Sequence, residues 1–343
     1  MTCQCHIIPD DVLERLSRDE RFSDEERRNF SNTAAVSRAF RSLRQHAGEF
    51  TAATLAPDMV GAAPPSPPAI TVAACHHRQA LPGSPVANPG KSADKTARRA
   101  FVETTAVAQF YQTIFGRNSV DNAGMTLGSS VHYGVKFNNA FWNGSRMVYG
   151  DGDGNIFIDF TGGNDVIGHE LTHGVTQHSL QLNYANEAGG LNESISDVFG
   201  SMFRQWQADQ DVAAADWLIG SDILGPGAHA RGLTCLRDMA SPGAAHCLAP
   251  QPFRYADYKT GMDPHYSSGI PNLAFHNAAV GIGGKSWEKT GQIWYRAVTG
   301  FGPRPDMTMS DFAARPRQVA ATMFAANASV ANAVDAAWKS VGL

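Results

Sequence analysis

The sequence predicts an α+β fold of two lobes, β-rich in its N-terminal part and helical in its C-terminal part. Three observations carry this. From Ile70 to about Phe160 the pattern is β-rich, with one helix among the strands. After Gly174 apolar residues recur at spacings of three and four, segment after segment. Between the two stands Asp165-Val-Ile-Gly-His169-Glu170-Leu-Thr-His173-Gly, a polar-bearing helix at the junction, where a cleft is expected.

A chain of 343 residues has room for two ordinary domains and a smaller extra segment. Its 43% hydrophobic and 17% charged content describes a soluble globular protein that buries a sizeable core. A net charge of −4 is too mild to argue for nucleic acid or an anionic membrane as partner. No apolar run approaches the roughly 18 residues of a membrane-spanning helix. Met1-Thr-Cys-Gln-Cys-His has neither a basic start nor an apolar stretch, so no secretory signal is read there. Five cysteines leave at least one thiol unpaired within a monomer. Cys235 and Cys247 bracket a loop, either as two thiols or as a local bridge in an oxidising compartment.

Taken in order, residues 1 to about 50 read as helices. Asp10-Asp-Val-Leu-Glu-Arg-Leu16 starts acidic and spaces its leucines by three, and Ser23-Asp-Glu-Glu26 is a capping box opening a second run. Ala56 to Pro68 is rich in proline and alanine and reads as an extended, protease-accessible linker. The spacing predicts a helix over Lys95–Phe115, then strands at Val131–Phe137, Met147–Tyr149 and Ile156–Phe160, the last two joined by an Asp151-Gly-Asp-Gly hairpin turn. Helices follow at Glu193–Trp206, Asn272–Ala279, Trp287–Val298, Asp311–Ala325 and Val330–Val341, with Pro316 expected to kink the fourth or delay its start. The resulting division is 1–68, 69–175 and 176–343.

The chemistry concentrates at the junction. His169 and His173 are four apart, so on a helix their imidazoles share one face and can reach one zinc ion. Glu170 then stands beside the metal rather than on it, where a general base for water belongs. Glu193 opens the next helical pattern and can supply a third ligand, leaving a position open for substrate. Asp197, one turn further on the same face, suits a carboxylate that orients a histidine ring. Arg237 offers a planar fork of donors to a substrate carbonyl.

His-Glu-x-x-His followed by Asn192-Glu193-x-x-x-Asp197 resembles the thermolysin family of zinc endopeptidases. Asn139-Ala-Phe-Trp142, Met147-Val-Tyr-Gly-Asp-Gly-Asp153-Gly, Leu236-Arg237 and His265-Tyr-Ser-Ser-Gly-Ile-Pro-Asn272 extend the resemblance, in family order, over residues 80 to 343. Cys5-His-Ile-Ile-Pro9-Asp10 resembles the short proregion of the protealysin-like branch, with Asp10 in place of a second proline. The resemblance implies a latent precursor of a peptidase that acts on proteins or peptides, with residues 1–68 as proregion and intramolecular inhibitor. It implies secretion, with a cytoplasmic location as the alternative given the missing signal.

By the same resemblance His265 and Tyr184 would stabilise the oxyanion, Asp263 would orient His265, and Asn139 with Ala140 would pair with an extended substrate. Phe157, Phe160, Val166 and Leu236 would line the pocket for the residue after the cut, favouring leucine, isoleucine or phenylalanine. The family's calcium site near the zinc helix is in doubt here. Asp165 and Asp216 keep their carboxylates, but Arg204 stands where a glutamate is usual, and Leu218 and Ser221 replace acids found in some relatives. Two other readings stay open: a zinc hydrolase that trims chain ends, and an inactive zinc-binding protein. The intact Glu170 and ligand positions argue against the latter.

Overall fold

The computed structural model describes residues 5–47 and 67–343, with Cys5 and residues 40–47 as backbone only. The expected linker falls largely outside the described residues. The chain begins with β1 (Cys5–His6), α1 (Asp10–Arg18) and α2 (Asp24–Ala47). At the start of α2 the Ser23 hydroxyl and Glu26 carboxylate bond reciprocally to each other's N–H, as the capping box requires.

A strand-rich part follows: β2 (Ile70–Ala74), β3 (Ser84–Pro85), α3 (Lys95–Phe115), β4 (Leu127–Val131), β5 (Ala140–Trp142) and β6 (Arg146–Tyr149). The α3 boundaries are those the periodicity predicts. Asp94 caps its N-terminus by accepting from Thr96 and Ala97, and Gly116, at φ 67°, ends it in a left-handed turn. The six strands form one sheet in the order β1-β5-β6-β4-β2-β3, with β2, β4 and β6 parallel and the others antiparallel to their neighbours. Strand β1 lies on the outside edge of β5, Cys5 opposite Trp142 and His6 opposite Phe141.

Two strand expectations fail here. The strand near Val131 ends rather than begins there, because His132 and Lys136 take left-handed backbone, as does Gly134. Ile156–Phe160 is not a strand. A single bridge joins Phe157 to Leu224, and Asp153 Oδ1 accepts the N–H of Asn155 and Ile156 to close a local turn, so Asp151-Gly-Asp-Gly is a loop and not a hairpin.

The remainder is helical: α4 (Asn164–Gln177), α5 (Asn186–Gln207), the short ribbon of β7 (Leu218–Ile219) around α6 (Pro226–His229) to β8 (Arg237–Asp238), then α7 (Pro264–Ser267), α8 (Gly269–Ile282), α9 (Lys289–Thr299), α10 (Met309–Met323) and α11 (Ala328–Ser340). Pro316 sits inside α10, whose start is fixed two turns earlier by a Thr308–Asp311 capping box.

Helix α4 is buried on every side from Asp165 to Thr176. It can lie close against α5 because both helices present glycine at the crossing. A Cβ on Gly200 would stand 2.6 Å from the Asp165 carbonyl, and one on Gly168 3.0 Å from the Gly200 Cα. That close approach brings the 193–197 turn of α5 onto the histidine face of α4. One apolar core runs through both parts and takes in Ile7, Ile8, Val12, Leu13, Leu16 and Phe30 from the first 47 residues. Each such side chain contributes roughly 1.5–3 kcal/mol of gross burial.

Candidate active site

His169 and His173 meet as the spacing predicts, with their Nε2 atoms 3.0 Å apart. Glu193 Oε2 lies 3.4 Å from His169 Nε2 and Glu193 Oε1 lies 3.5 Å from His173 Nε2. All three are fully buried and form one of the groups able to hold a metal ion. Nitrogen and oxygen ligands about 2.0–2.2 Å from a tetrahedral zinc stand about 3.3–3.6 Å apart, a range that holds both histidine–Glu193 separations, while the two Nε2 atoms at 3.0 Å must part slightly to admit the ion.

Each ligand is held from behind. The His169 Nδ1 faces Asp197 Oδ1 at 2.9 Å, and His173 Nδ1 faces Asn192 Oδ1 and Ser196 Oγ, both at 2.9 Å. Those contacts turn both Nε2 atoms toward the shared point. Arg237 grips Asp197 with two parallel bonds, Nε to Oδ2 at 2.8 Å and Nη2 to Oδ1 at 2.7 Å, and Asn272 Nδ2 adds a third at 2.9 Å. Burial by itself would raise the Asp197 carboxyl, but Arg237 and then His169 outweigh it and hold the group well below the usual range. Burial would likewise lower His169, yet its bonds to Asp197 and Glu193 raise it to about 9. His173 has an amide and a hydroxyl behind its Nδ1 instead of a carboxylate, and burial outweighs the raising pull of Glu193 and takes it down to about 3.

Glu170 is different. Both its oxygens are buried and neither makes a hydrogen bond of ordinary geometry to the protein. Burial raises its carboxyl to about 8, with His169 pulling the other way. A buried carboxyl with open hydrogen-bonding capacity beside a metal-ligand cluster is equipped to take and return a proton.

Tyr184 and His265 converge from the helical side. The Tyr184 hydroxyl donates to Glu193 Oε1 at 2.6 Å and lies 3.3 Å from His265 Nε2. His265 Nδ1 is 2.7 Å from Asp263 Oδ1, while its Nε2 donates to the carbonyl of His6. The segment from His6 to Ile8 occupies the groove between these groups and β5. Ile7 N–H donates to the Ala140 carbonyl at 3.1 Å, and Arg237 Nη1 donates to the Ile7 carbonyl at 3.0 Å. Asn139 accepts from Ile8 N–H at 3.0 Å and donates to its carbonyl at 3.1 Å. Phe157, Phe160, Val166 and Leu236 are all buried in the same apolar cluster as Ile7.

The structure thus brings His169, His173, Glu193, Asp197, Arg237, Tyr184, His265 and Asp263 into one connected set of contacts, with Asn139 and Ala140 joined to it through His6–Ile8. It adds Asn192, Ser196 and Asn272, which sequence reasoning missed. Asn192 adjoins a ligand and Asn272 closes the His265 block, so position in the motifs was the available signal. Farther along α5, Arg204 stands among carboxylates, with Nη1 2.6 Å from Asp222, Nη2 3.6 Å from Asp216 and Nη1 3.8 Å from Asp165. Asp222 is the nearest of these partners, where Asp165 and Asp216 were expected.

A mixed fold with a His-His-Glu centre between a strand-rich and a helical part defines a class, and the comparisons agree with it. Residues 76–177 match the thermolysin metallopeptidase catalytic domain and residues 180–343 its alpha-helical domain. The chain belongs to the thermolysin family of zinc metalloendopeptidases. Within it the chain is protealysin-like: its structure matches the precursor of protealysin from Serratia proteamaculans with a TM-score of 0.83 and 36% identity, over 98% of this chain and 99% of that one. An extracellular metalloprotease of Pectobacterium carotovorum subsp. carotovorum is 42% identical over 277 residues, 78% of each chain. Thermolysin of Alicyclobacillus acidocaldarius subsp. acidocaldarius is 37% identical over 282 residues, 78% of this chain and 50% of that one.

Proposed function

We propose that this metallopeptidase is made as a latent precursor and cuts peptide bonds on the N-terminal side of bulky hydrophobic residues. One observation carries the reading: His6–Ile8 binds β5 and its surroundings as an extended substrate would. The carbonyl that faces His265 is that of His6, so the His6–Ile7 bond stands in for the bond to be cut and Ile7 for the residue after it. An isoleucine in that place supports a pocket, lined by Phe157, Phe160, Val166 and Leu236, that selects apolar side chains.

In this reading His169, His173 and Glu193 hold the zinc, with Asp197 orienting His169. The bound metal supplies a Lewis acid that polarises the scissile carbonyl and acidifies water. Glu170 takes a proton from the attacking water and delivers it to the leaving amine nitrogen. His265, oriented by Asp263, and Tyr184 donate to the carbonyl oxygen as it gains charge. Asn139, Ala140 and Arg237 hold the substrate backbone in register.

Residues 1–68 act as proregion with its linker, 69–175 as the N-terminal catalytic lobe and 176–343 as the helical lobe. The proregion inhibits by occupying the groove until the linker is cut. Export from the cell follows the relatives described as extracellular. Arg204 takes the place of a calcium ion, so calcium is dispensable. Peptide-library profiling of the matured enzyme tests the specificity: cuts before leucine, isoleucine or phenylalanine are expected, and cuts mainly before lysine or aspartate would overturn it.

A further inference from the structure

The stretch after β8 folds back so that Thr234 N–H donates to the His246 carbonyl at 3.0 Å and Leu248 N–H to the Cys235 carbonyl at 2.9 Å. An isolated parallel bridge thereby sets Cys235 against Cys247. Both are buried free thiols with their sulfurs 3.7 Å apart. Two thiolates, each about 2.3 Å from a tetrahedral zinc, stand about 3.8 Å apart. His246 is the third member: it offers a ring nitrogen within 4.8 Å of both sulfurs.

Its Nε2 lies 3.1 Å from Asp238 Oδ2, the contact by which a carboxylate orients a ligating imidazole, and Nδ1 is left to face a metal. Asp238 is itself fixed, accepting from the N–H of Ala240 and Ser241 at 2.8 and 2.9 Å. The His246 side chain is 38% exposed, which gives a cation a route in and leaves a fourth position for water.

We propose that Cys235, Cys247 and His246 form a second metal site, for a soft divalent cation of the zinc class, apart from the His169/His173/Glu193 centre. Coordination releases the thiol protons to solvent. The Cys235 thiol donates to the Cys247 sulfur, so the two sulfurs already face each other across the position a cation would take. The bound cation clamps a loop with two functional attachments. Cys235 precedes Leu236 and Arg237, and Cys247 precedes Leu248, whose carbonyl accepts Arg15 from α1 at 2.8 Å.

The test uses full-length Glu170→Gln protein, which does not digest itself, reduced, stripped by chelator and titrated with Co2+. The expected result is a thiolate-to-cobalt charge-transfer absorption, which the sulfur-free His169/His173/Glu193 centre has no ligand to produce. Cys247→Ser should abolish it and lower bound zinc from two ions per chain to one. His246→Ala, at a partly exposed position, should keep the fold and weaken cobalt binding at least about tenfold. Absence of the band in reduced protein overturns the proposal. So does a mass short of two hydrogens in protein isolated without reductant, which identifies a Cys235–Cys247 disulfide, or unchanged cobalt affinity in His246→Ala.

Discussion

Replacing Arg204 with alanine should destabilise the fold by about 2–3 kcal/mol, and the size follows from which charges it leaves behind. Asp165 is fully buried and has one strong hydrogen bond, from Gly220 N–H at 2.6 Å; burial raises its carboxyl and Arg204 is the first opposing influence. Asp216 and Asp222 are about half exposed, so water compensates them when the guanidinium is lost. Removing one partner of a fully buried pair costs about 3–5 kcal/mol, and with one of three carboxylates stranded and Arg204 itself partly exposed the cost falls at or just below the lower figure. At about 2 °C per kcal/mol for a chain of this size, the melting midpoint should fall by roughly 5 °C. Calorimetry on a Glu170→Gln background, at constant zinc, reads this without self-digestion. A calcium-selective chelator should barely move the parent protein, while Arg204→Glu should become calcium-dependent. The reasoning fails if Arg204→Ala leaves the midpoint unchanged, or if the chelator alone lowers the parent midpoint by as much as the substitution.

Three further outcomes are expected. A chain beginning at Ala69 should digest casein at once, whereas full-length protein with its linker intact by mass spectrometry should be silent; equal activity would remove the inhibitory role of His6–Ile8. Leu236→Ala should shift the preferred residue after the cut toward larger side chains in a peptide library, and an unchanged profile would take Leu236 out of the pocket wall. His132 bonds Asp151 at 2.8 Å and Asp94 at 2.9 Å, and these carboxylates, Asp151 first, raise it from 6.5 to about 9. Its imidazolium therefore stabilises the fold fully below about pH 6.5 and loses that contribution as pH rises through 9. At about 1.4 kcal/mol per pKa unit, discounted for partial exposure, wild type should lose about 1–2 kcal/mol relative to His132→Gln between pH 7 and 10. Parallel denaturant midpoints across that range would refute it.

Much of the site was legible because its chemistry is local. His169, Glu170 and His173 lie within five residues, and Glu193 and Asp197 share one turn of the next helix, so helical periodicity alone groups them. Helix α3 was read to the residue because a capping aspartate and a terminal glycine frame its apolar pattern. The strand errors have a backbone cause: apolar residues around Tyr133 and Phe157 are buried by irregular chain, at left-handed positions or a lone bridge, and period-two reasoning mistakes them for strands. The substrate-like grip on Ile7 and Ile8 was beyond reach. Strand β1 has two residues, and the partners of Ile7 and Ile8 just after it lie far along the chain at Asn139, Ala140 and Arg237, so no periodicity or local spacing records the contact. The nearest carboxylate partner of Arg204 was hidden for the same reason, since Asp222 approaches from a separate turn.

The central claim is that Glu170 moves the proton while His169, His173 and Glu193 hold the metal, and Glu170→Gln tests it most directly. Matured Glu170→Gln enzyme should retain one zinc ion at that centre, counted in a Cys247→Ser background, while losing proteolysis by about 10³-fold, within the span ascribed to general-base catalysis. Zinc-loaded Glu170→Gln enzyme that digests casein at a rate comparable to the parent would contradict the account.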